Sequence, residues 1–522
     1  MKNTFIISCP IDTYSGYGAR SRDLVKSIIE LDKYDVKILG QRWGATPFGF
    51  IEDNPEWKFL EKYLIQEVTQ QPDIWAQVTV PNEFQRQGKY NIGFTAGIET
   101  TLCHGSWMDG INRMDINIVS SEHSKQVFLA SKFDKIDRKT NQKTGVLELN
   151  KPIEVLLEGA DLDVYKPIMN KDFTELDLKN DINAIPENFA FLAVGHWMQG
   201  EMGEDRKNIG VTLKSFYETF KNKKKKPALI IKTSGVNGSY MDRREIMRKV
   251  NTVRNACKGN LPNVYILHGN FSNEEMNELY NHPKVKAMVS HTRGEGFGRP
   301  LLEFSLVNKP IICSGWSGQL DFLQNDFTLL LRGQLTNIHP SAQQKDILLA
   351  EAQWFQPEPM DINRSYKDIY DNYKFWLEKA KRQGYFSRTN FSFENMKDKI
   401  GKILEDNISI PEQVSLNLPK LPKLKKVDKK TELPIIAPPA HAQWVNCNGD
   451  NTLKYDHQLT ENGVVIELGG HTHSWALGCR GSSGIKEDCF IYVVEPIKNF
   501  CNILENKSSS RKTLKILNFG IS

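Results

Sequence analysis

Short apolar runs alternate with stretches of helical spacing from Thr4 to about residue 405. The runs Thr4–Ser8, Val36–Leu39, Ile74–Val78, Ile92–Thr95, Ile118–Ser121 and Val155–Leu157 read as one series of buried strands, and Phe189–Val194, Ala228–Lys232, Val264–Leu267, Val285–Val289 and Pro310–Cys313 as a second. Between them, pairs such as Leu24/Ile28 and Val25/Ile29, then Leu213/Phe216/Phe220, recur at helical intervals. Ser272 followed by Glu275 is a capping box that opens a helix running through Tyr280. Strand–helix alternation repeated this often predicts parallel sheets wrapped by helices. Two series joined near Lys166–Asn188 predict two α/β domains, residues 1–170 and 171–407, with ligands bound where loops leave the strand C-termini.

Two regions break the pattern. Residues 408–440 are rich in proline and carry six lysines between Lys420 and Lys430, with few side chains able to build a core, and read as a linker. From His441 to Ser522 strand-like runs resume at Val464–Leu468, Phe490–Val494 and Leu514–Asn518.

Composition narrows the class without naming a function. The chain has 522 residues, 39% hydrophobic and 25% charged, and a formal net charge of +5, which is the balance of a multidomain globular protein rather than of a nucleic-acid binder. No run approaches the ~20 apolar residues of a membrane span, and the first apolar stretch is too short for a signal peptide. The eight cysteines include no C-x-x-C pair, which argues against a zinc site or a disulfide framework and for a reducing compartment. A cytoplasmic location is the expectation, with peripheral membrane contact through the linker lysines left open.

Candidate chemistry is densest from Ser290 to Glu303. Gly294, Gly296 and Gly298 bare the backbone after a strand, and Pro300 reads as the first position of the next helix. Glu303, placed in the first turn of that helix, can accept two hydrogen bonds from a ribose diol, and Glu295 lies on the loop nearer a sugar. The same Glu in a first turn gains ~0.3–1 kcal/mol from the macrodipole with no ligand at all. Arg206 and Lys207 precede the helix that carries Leu213 and Phe216, where cations oppose the macrodipole unless an anion lies between them. Lys232, ending its strand, can supply a third cation. Gly16 and Gly18 follow the first strand and open a helix, where a phosphate or sugar could approach or a plain turn could suffice. Glu99 and His104 follow the strand Ile92–Thr95 and could meet an acceptor.

The segments Val264–Phe271, Arg293–Glu303 and Ser314–Leu323 resemble the retaining GT-B glycosyltransferases of family four. Glu295 and Glu303 match that family's E-x₇-E pair, and Arg206 and Lys207 its diphosphate-binding pair. The likeness extends over roughly residues 1–405 through Gly97-Ile98-Glu99-Thr100, Trp107, Ser120–Ser124 and Leu157–Asp163. It implies two facing Rossmann-like domains with a cleft between them. It further implies transfer of a hexose-type sugar from a nucleotide-diphosphate-sugar to an acceptor hydroxyl of a glycan, lipid or protein, with retention. Catalytic roles fall by this likeness to Arg206, Lys207 and Glu295. Donor-binding roles fall to Glu303, Gly296, Phe297, Gly298, Gly16, Gly18 and Lys232, and acceptor-side roles to His104 and Glu99. No D-x-D run follows a strand in the expected place, so no metal or other cofactor is expected, the two cations meeting the leaving diphosphate instead.

The C-terminal run Gly463–His471, with Tyr492–Pro496, is similar to the opening of FkbM-type methyltransferases that use S-adenosylmethionine. By that likeness Glu467, Gly469 and Glu495 would face the cofactor. Glu467 stands where Asp is usual and His473 where glycine is common, and three strands are too few to close such a sheet. A partial α/β Rossmann-like segment, residues 441–522, is therefore expected, as a fragment rather than a working methyltransferase. The competing readings are a GT-B-like binding or scaffold protein without turnover and methyl transfer from the C-terminal segment.

Overall fold

The computed structural model describes residues 2–44, 46–137, 139–168, 182–197, 199–200, 202–235, 239–408, 464–468, 490–494 and 514–517. Residues 2–408 and the three C-terminal strands fall in two separate units.

In the first unit, β1 (Asn3–Cys9), β2 (Tyr34–Gly40), β3 (Leu64–Ile65), β4 (Ile74–Val78), β5 (Tyr90–Thr95) and β6 (Ile116–Val119) are followed by a hairpin of β7 (Phe133–Ile136) and β8 (Lys143–Leu147), and then by β9 (Ile153–Val155). Seven of them form a parallel sheet in the order β3-β2-β1-β4-β5-β6-β9. All five residues of β4 are buried, as expected of a strand covered on both faces by helices. A second parallel sheet, in the order β12-β11-β10-β13-β14-β15, comprises β10 (Ala190–Val194), β11 (Ala228–Lys232), β12 (Val264–Leu267), β13 (Val285–Ser290), β14 (Ile311–Ser314) and β15 (Leu329–Leu331). A hairpin of β16 (Gly333–Asn337) and β17 (Gln353–Pro357) follows.

The predicted strands lie on observed ones within a few residues, and the capping box at Ser272 is present with both of its hydrogen bonds. Sequence periodicity passed over β3 and β15, which are very short, and over the two hairpins. β7 and β8 are largely exposed, so they carry little apolar signal.

In each large sheet the chain order reverses once, between β1 and β4 and between β10 and β13. At such a switch point the loops leaving the two strands diverge and open a crevice. The helix Phe393–Asn407, last of the unit's chain, does not stay with the second sheet. Phe393, Met396, Ile400 and Leu404 bury themselves among Phe5, Leu24, Ile28 and Val36 of the first-sheet core. A short bridge between Ala160 and Ser392 marks the return.

In the second unit, β18 (Val464–Leu468), β19 (Phe490–Val494) and β20 (Leu514–Leu517) form a parallel sheet in chain order. These agree with the three runs expected from the sequence. The linker expected at 408–440 lies outside the described residues beyond Ile408, as do Gly469 and Glu495. Glu467 is in β18. Among the described residues no helix is long and apolar enough to cross a membrane.

Candidate active site between the two sheets

The loops leaving β10, β11 and β13 line one wall of a cleft of about 620 Å³, and residues at the ends of β4, β5 and β6 and the start of the helix Gly16–Glu30 line the other. Arg206, Lys207, Lys232, Glu295, Gly296, Phe297, Gly298, Glu303, Gly16 and Glu99 all contribute to its surface.

Glu295 is the centre of the charge on the second-domain wall. Lys207 sets its Nζ 2.6 and 2.7 Å from the two carboxylate oxygens, and Arg206 Nη1 lies 3.5 Å from Oε2. Arg206 also donates to the Gly294 carbonyl at 2.8 Å and reaches Glu99 of the first domain at 3.5 Å. Burial alone would raise the Glu295 carboxyl, but Lys207 and Arg206 outweigh it and hold it below the ordinary range. Burial lowers Lys207, with Arg206 adding to the effect. Burial also opposes charge on Arg206, yet Glu99 and Glu295 leave it above its ordinary value. Two cations and two carboxylates thus balance in one buried cluster. The cations stand on the turn before the helix Ile209–Phe220, whose cap, Asn208, is left-handed (φ 57°) and makes no side-chain capping bond.

Glu295 is held from behind. Its N–H donates to Ser317 Oγ at 2.9 Å, and its carbonyl accepts from Gly318. Ser317 adopts φ 77° and ψ −160°, a region that costs a non-glycine residue on the order of 1–3 kcal/mol. The strain is located on the hydroxyl that orients Glu295.

Glu303 differs from expectation in one respect. The helix it occupies runs Arg299–Ser305 with Gly298 as a left-handed cap (φ 101°), so Pro300 is its second residue and Glu303 its fifth. That puts Glu303 beyond the first turn, where the macrodipole no longer explains a carboxylate. What holds it is specific: Arg299 Nε donates to Oε1 at 3.0 Å and the Tyr280 hydroxyl to Oε2 at 3.2 Å. Burial raises its pKa, with Arg299 acting against the shift.

The glycines of this loop answer a packing demand as well as a ligand one. A Cβ on Gly294 would stand 2.1 Å from the Glu99 carbonyl oxygen, and one on Gly296 would stand 2.5 Å from that of Ala96. The loop is pressed against the first domain, where Ser120 Oγ donates to the Gly296 carbonyl at 3.2 Å and to that of Ala96 at 2.5 Å. Gly97, at φ 86°, is required in turn by Ser124, whose Oγ would lie 2.0 Å from a Cβ there.

Two expected residues are not brought into the cleft lining. The Gly18 N–H is taken by Ser15 Oγ at 2.9 Å, and a Cβ on Gly18 would meet the Thr13 carbonyl oxygen at 2.3 Å, so this glycine serves the turn. His104 caps the helix Gly105–Arg113 through its Nδ1, with its Nε2 3.4 Å from Asp346. Other residues line the cleft that spacing along the chain did not single out. The Thr233 hydroxyl, buried in the wall beside Lys232, has no hydrogen-bond partner among the described residues. His196 contacts Ser234, and its pKa is lowered by burial and then by Lys207 and Lys232. Arg299 ties Glu303 to Asp23 and Glu158 of the first domain. Tyr17 and Trp43 stack on the opposite wall. Lys232 donates to the Gly269 carbonyl at 2.6 Å and lies over Phe271, and burial lowers its pKa to about 8. Among the described residues no group of three or more His, Cys, Asp or Glu side chains is arranged to hold a metal ion.

No protein-family model matches this sequence. No curated protein matches it either. Solved structures do resemble it. A glycosyltransferase from Rickettsia africae superposes with a TM-score of 0.51 at 13% identity, over 78% of this chain and 98% of that one. The sucrose-phosphate synthase of Thermosynechococcus elongatus gives 0.49 at 13% identity over 78% and 99%, and WaaG, a glycosyltransferase involved in lipopolysaccharide biosynthesis, gives 0.46 at 11% over 76% and 99%. With two parallel sheets facing across a cleft, the fold of the first unit is GT-B, built from two Rossmann-like domains.

Proposed function

We propose that this chain is a retaining glycosyltransferase that moves a hexose-type sugar from a nucleotide-diphosphate-sugar to an acceptor hydroxyl, without a catalytic metal. The observation that carries the reading is the convergence of Arg206 and Lys207 on Glu295 at the C-terminal end of the second sheet, inside a cleft between two domains. Adjacent buried cations at the switch point of a doubly wound sheet suit a diphosphate. Lys232, on the same wall, extends that polar surface. The buried Glu303 suits the diol of a ribose. The shared fold of the Rickettsia africae glycosyltransferase supports the reaction class.

In this mechanism the bond from the anomeric carbon to the diphosphate oxygen breaks, and negative charge grows on the leaving phosphate. Once the donor is bound, Arg206 and Lys207 already stand at that charge. The donor replaces carboxylates that now balance the two cations, so Lys207 shifts its hydrogen bonds from Glu295 toward phosphate. Glu295, released, faces the sugar. The acceptor hydroxyl forms the new bond on the face the diphosphate leaves, and its proton passes to the leaving phosphate oxygen.

The test is calorimetry of the full chain with UDP, GDP, ADP and S-adenosylmethionine, without divalent ions and then with them. Metal-independent binding of one nucleoside diphosphate, lost in Glu303→Ala and Arg206→Ala, is the expected result. Binding of S-adenosylmethionine alone would replace this reading with one centred on the C-terminal strands.

A further inference from the structure

The cleft has two chemically different walls. Arg206, Lys207 and Lys232 all belong to the second domain. Facing them, the first domain presents Tyr17 and Trp43 with the apolar Val78, Phe94 and Ile118; the one cation among the described residues there, Arg20, is buried and donates to the Leu156 carbonyl. These two rings come from different segments, the start of the helix Gly16–Glu30 and the loop after β2, and stack at 3.8 Å between centroids with 21° between planes. Tyr17 is fixed at its far end, because its hydroxyl lies 3.1 Å from Thr95 Oγ1 and accepts the Ala96 N–H at 3.0 Å. Trp43 therefore rests on a rigid base. It remains partly exposed and lines the cleft, so indole surface not covered by Tyr17 is available to a ligand. Beside it Gly16 leaves open space, with no atom within 4 Å of where its Cβ would be. Polar groups stand on the same cleft: the Glu99 carboxylate, 27% exposed, and Gln344.

We propose that the Tyr17–Trp43 stack is the acceptor platform, and that the acceptor it takes is a glycan presenting a pyranose ring. The inference rests on the glycosyl-transfer reading above and adds the substrate class. A pyranose has an apolar C–H face and a rim of hydroxyls. A partly exposed indole in a cleft that also carries carboxylate and amide groups offers both kinds of surface, apolar area for the C–H face and acceptors for the hydroxyls. The anionic donor belongs on the cationic wall, which leaves the aromatic one for the second substrate.

Saturation-transfer NMR on the full chain tests this, with methyl α-D-glucopyranoside, methyl α-D-mannopyranoside and methyl β-D-galactopyranoside as probes and sorbitol as an open-chain control. Each is measured with and without the nucleoside diphosphate that binds. At least one pyranoside should show transfer to the protons of one ring face, and sorbitol none. Trp43→Ala should weaken that pyranoside about tenfold, the scale of one lost aromatic contact with its buried area. Trp43→Phe should retain most of it, and nucleoside diphosphate affinity should move less than about twofold in either variant, since Trp43 stands on the other domain's wall of the cleft. Thermal unfolding confirms that each variant is folded. Equal pyranoside binding by wild type and a folded Trp43→Ala would overturn the platform. So would loss of nucleoside diphosphate binding in that variant, which would give Trp43 to the donor, or absence of pyranoside binding by the wild type. A chain that binds pyranosides through Trp43 but no nucleoside diphosphate would sink glycosyl transfer and leave a glycan-binding site standing, so the two failures are distinct.

Discussion

Arg299 and Glu303 sit one helical turn apart, with Nε 3.0 Å from Oε1, and the same guanidinium pairs with Asp23 and Glu158 on the opposite domain. One partly buried cation thus serves both the carboxylate assigned to the ribose and the junction between the two sheets. Arg299→Leu would leave three buried carboxylates short of a partner. Removing one member of a buried ion pair costs roughly 3–5 kcal/mol, and urea unfolding of the full chain should show a loss on that scale. Arg299→Lys keeps the charge without the fork and should fall between.

Arg206→Ala should lower turnover roughly 10²–10³-fold, the cost of one preorganised group that stabilises developing charge. Steady-state kinetics with the donor identified by calorimetry measures it. Undiminished kcat would remove Arg206 from the mechanism.

Gly296→Ala would force a Cβ to within 2.5 Å of the Ala96 carbonyl oxygen and 3.3 Å of its carbon. Neither atom can yield without moving the first-domain loop, so the two domains must separate locally. Small-angle scattering should show a larger radius of gyration than wild type, and turnover should fall while the circular dichroism of the helices is kept. An unchanged radius with full turnover would mean that the approach of these loops is not needed for the reaction.

Lys232 gives a pH dependence. Burial depresses its pKa to about 8 from 10.5, with Glu275 acting weakly the other way. A lysine lowered on folding binds fewer protons in the native state than in the unfolded chain between those two values. Its contribution to stability therefore rises with pH from about 8 to about 10.5 and is unfavourable below. Binding follows the opposite sign, because the ammonium is lost over the same range. Nucleoside diphosphate affinity should weaken as pH rises through about 8, and Lys232→Met should bind less tightly with that step flattened. A step of equal size in the variant would assign it to another group.

Much of this was legible along the chain. The runs Ile74–Val78 and Ala228–Lys232 coincide with β4 and β11, because strands buried on both faces read as unbroken apolar segments; the run Val264–Leu267 coincides with β12, a half-buried edge strand. Arg206 and Lys207 stood out because cations at a helix start oppose the macrodipole, and Glu295 and Glu303 because two carboxylates, three glycines and a proline coincide in one loop. Gly18 and His104 were weaker signals, and a capping hydroxyl and a helix start account for them. A glycine's reason for being there depends on which atom approaches it, and for Gly294 and Gly296 that atom lies in another domain.

By itself the sequence determined the elements, their alternation and the loops that carry the charged groups, since helical period, capping and apolar runs are local properties of neighbouring residues. Only the tertiary structure decided that Arg299 meets Asp23, 276 positions away, that Trp43 stacks on Tyr17, and that the Thr233 hydroxyl is buried with no partner among the described residues. The first of these arises where the two domains meet and the others where segments of one domain pack together, and no spacing along one chain encodes which side chains the packing brings into the same few ångströms.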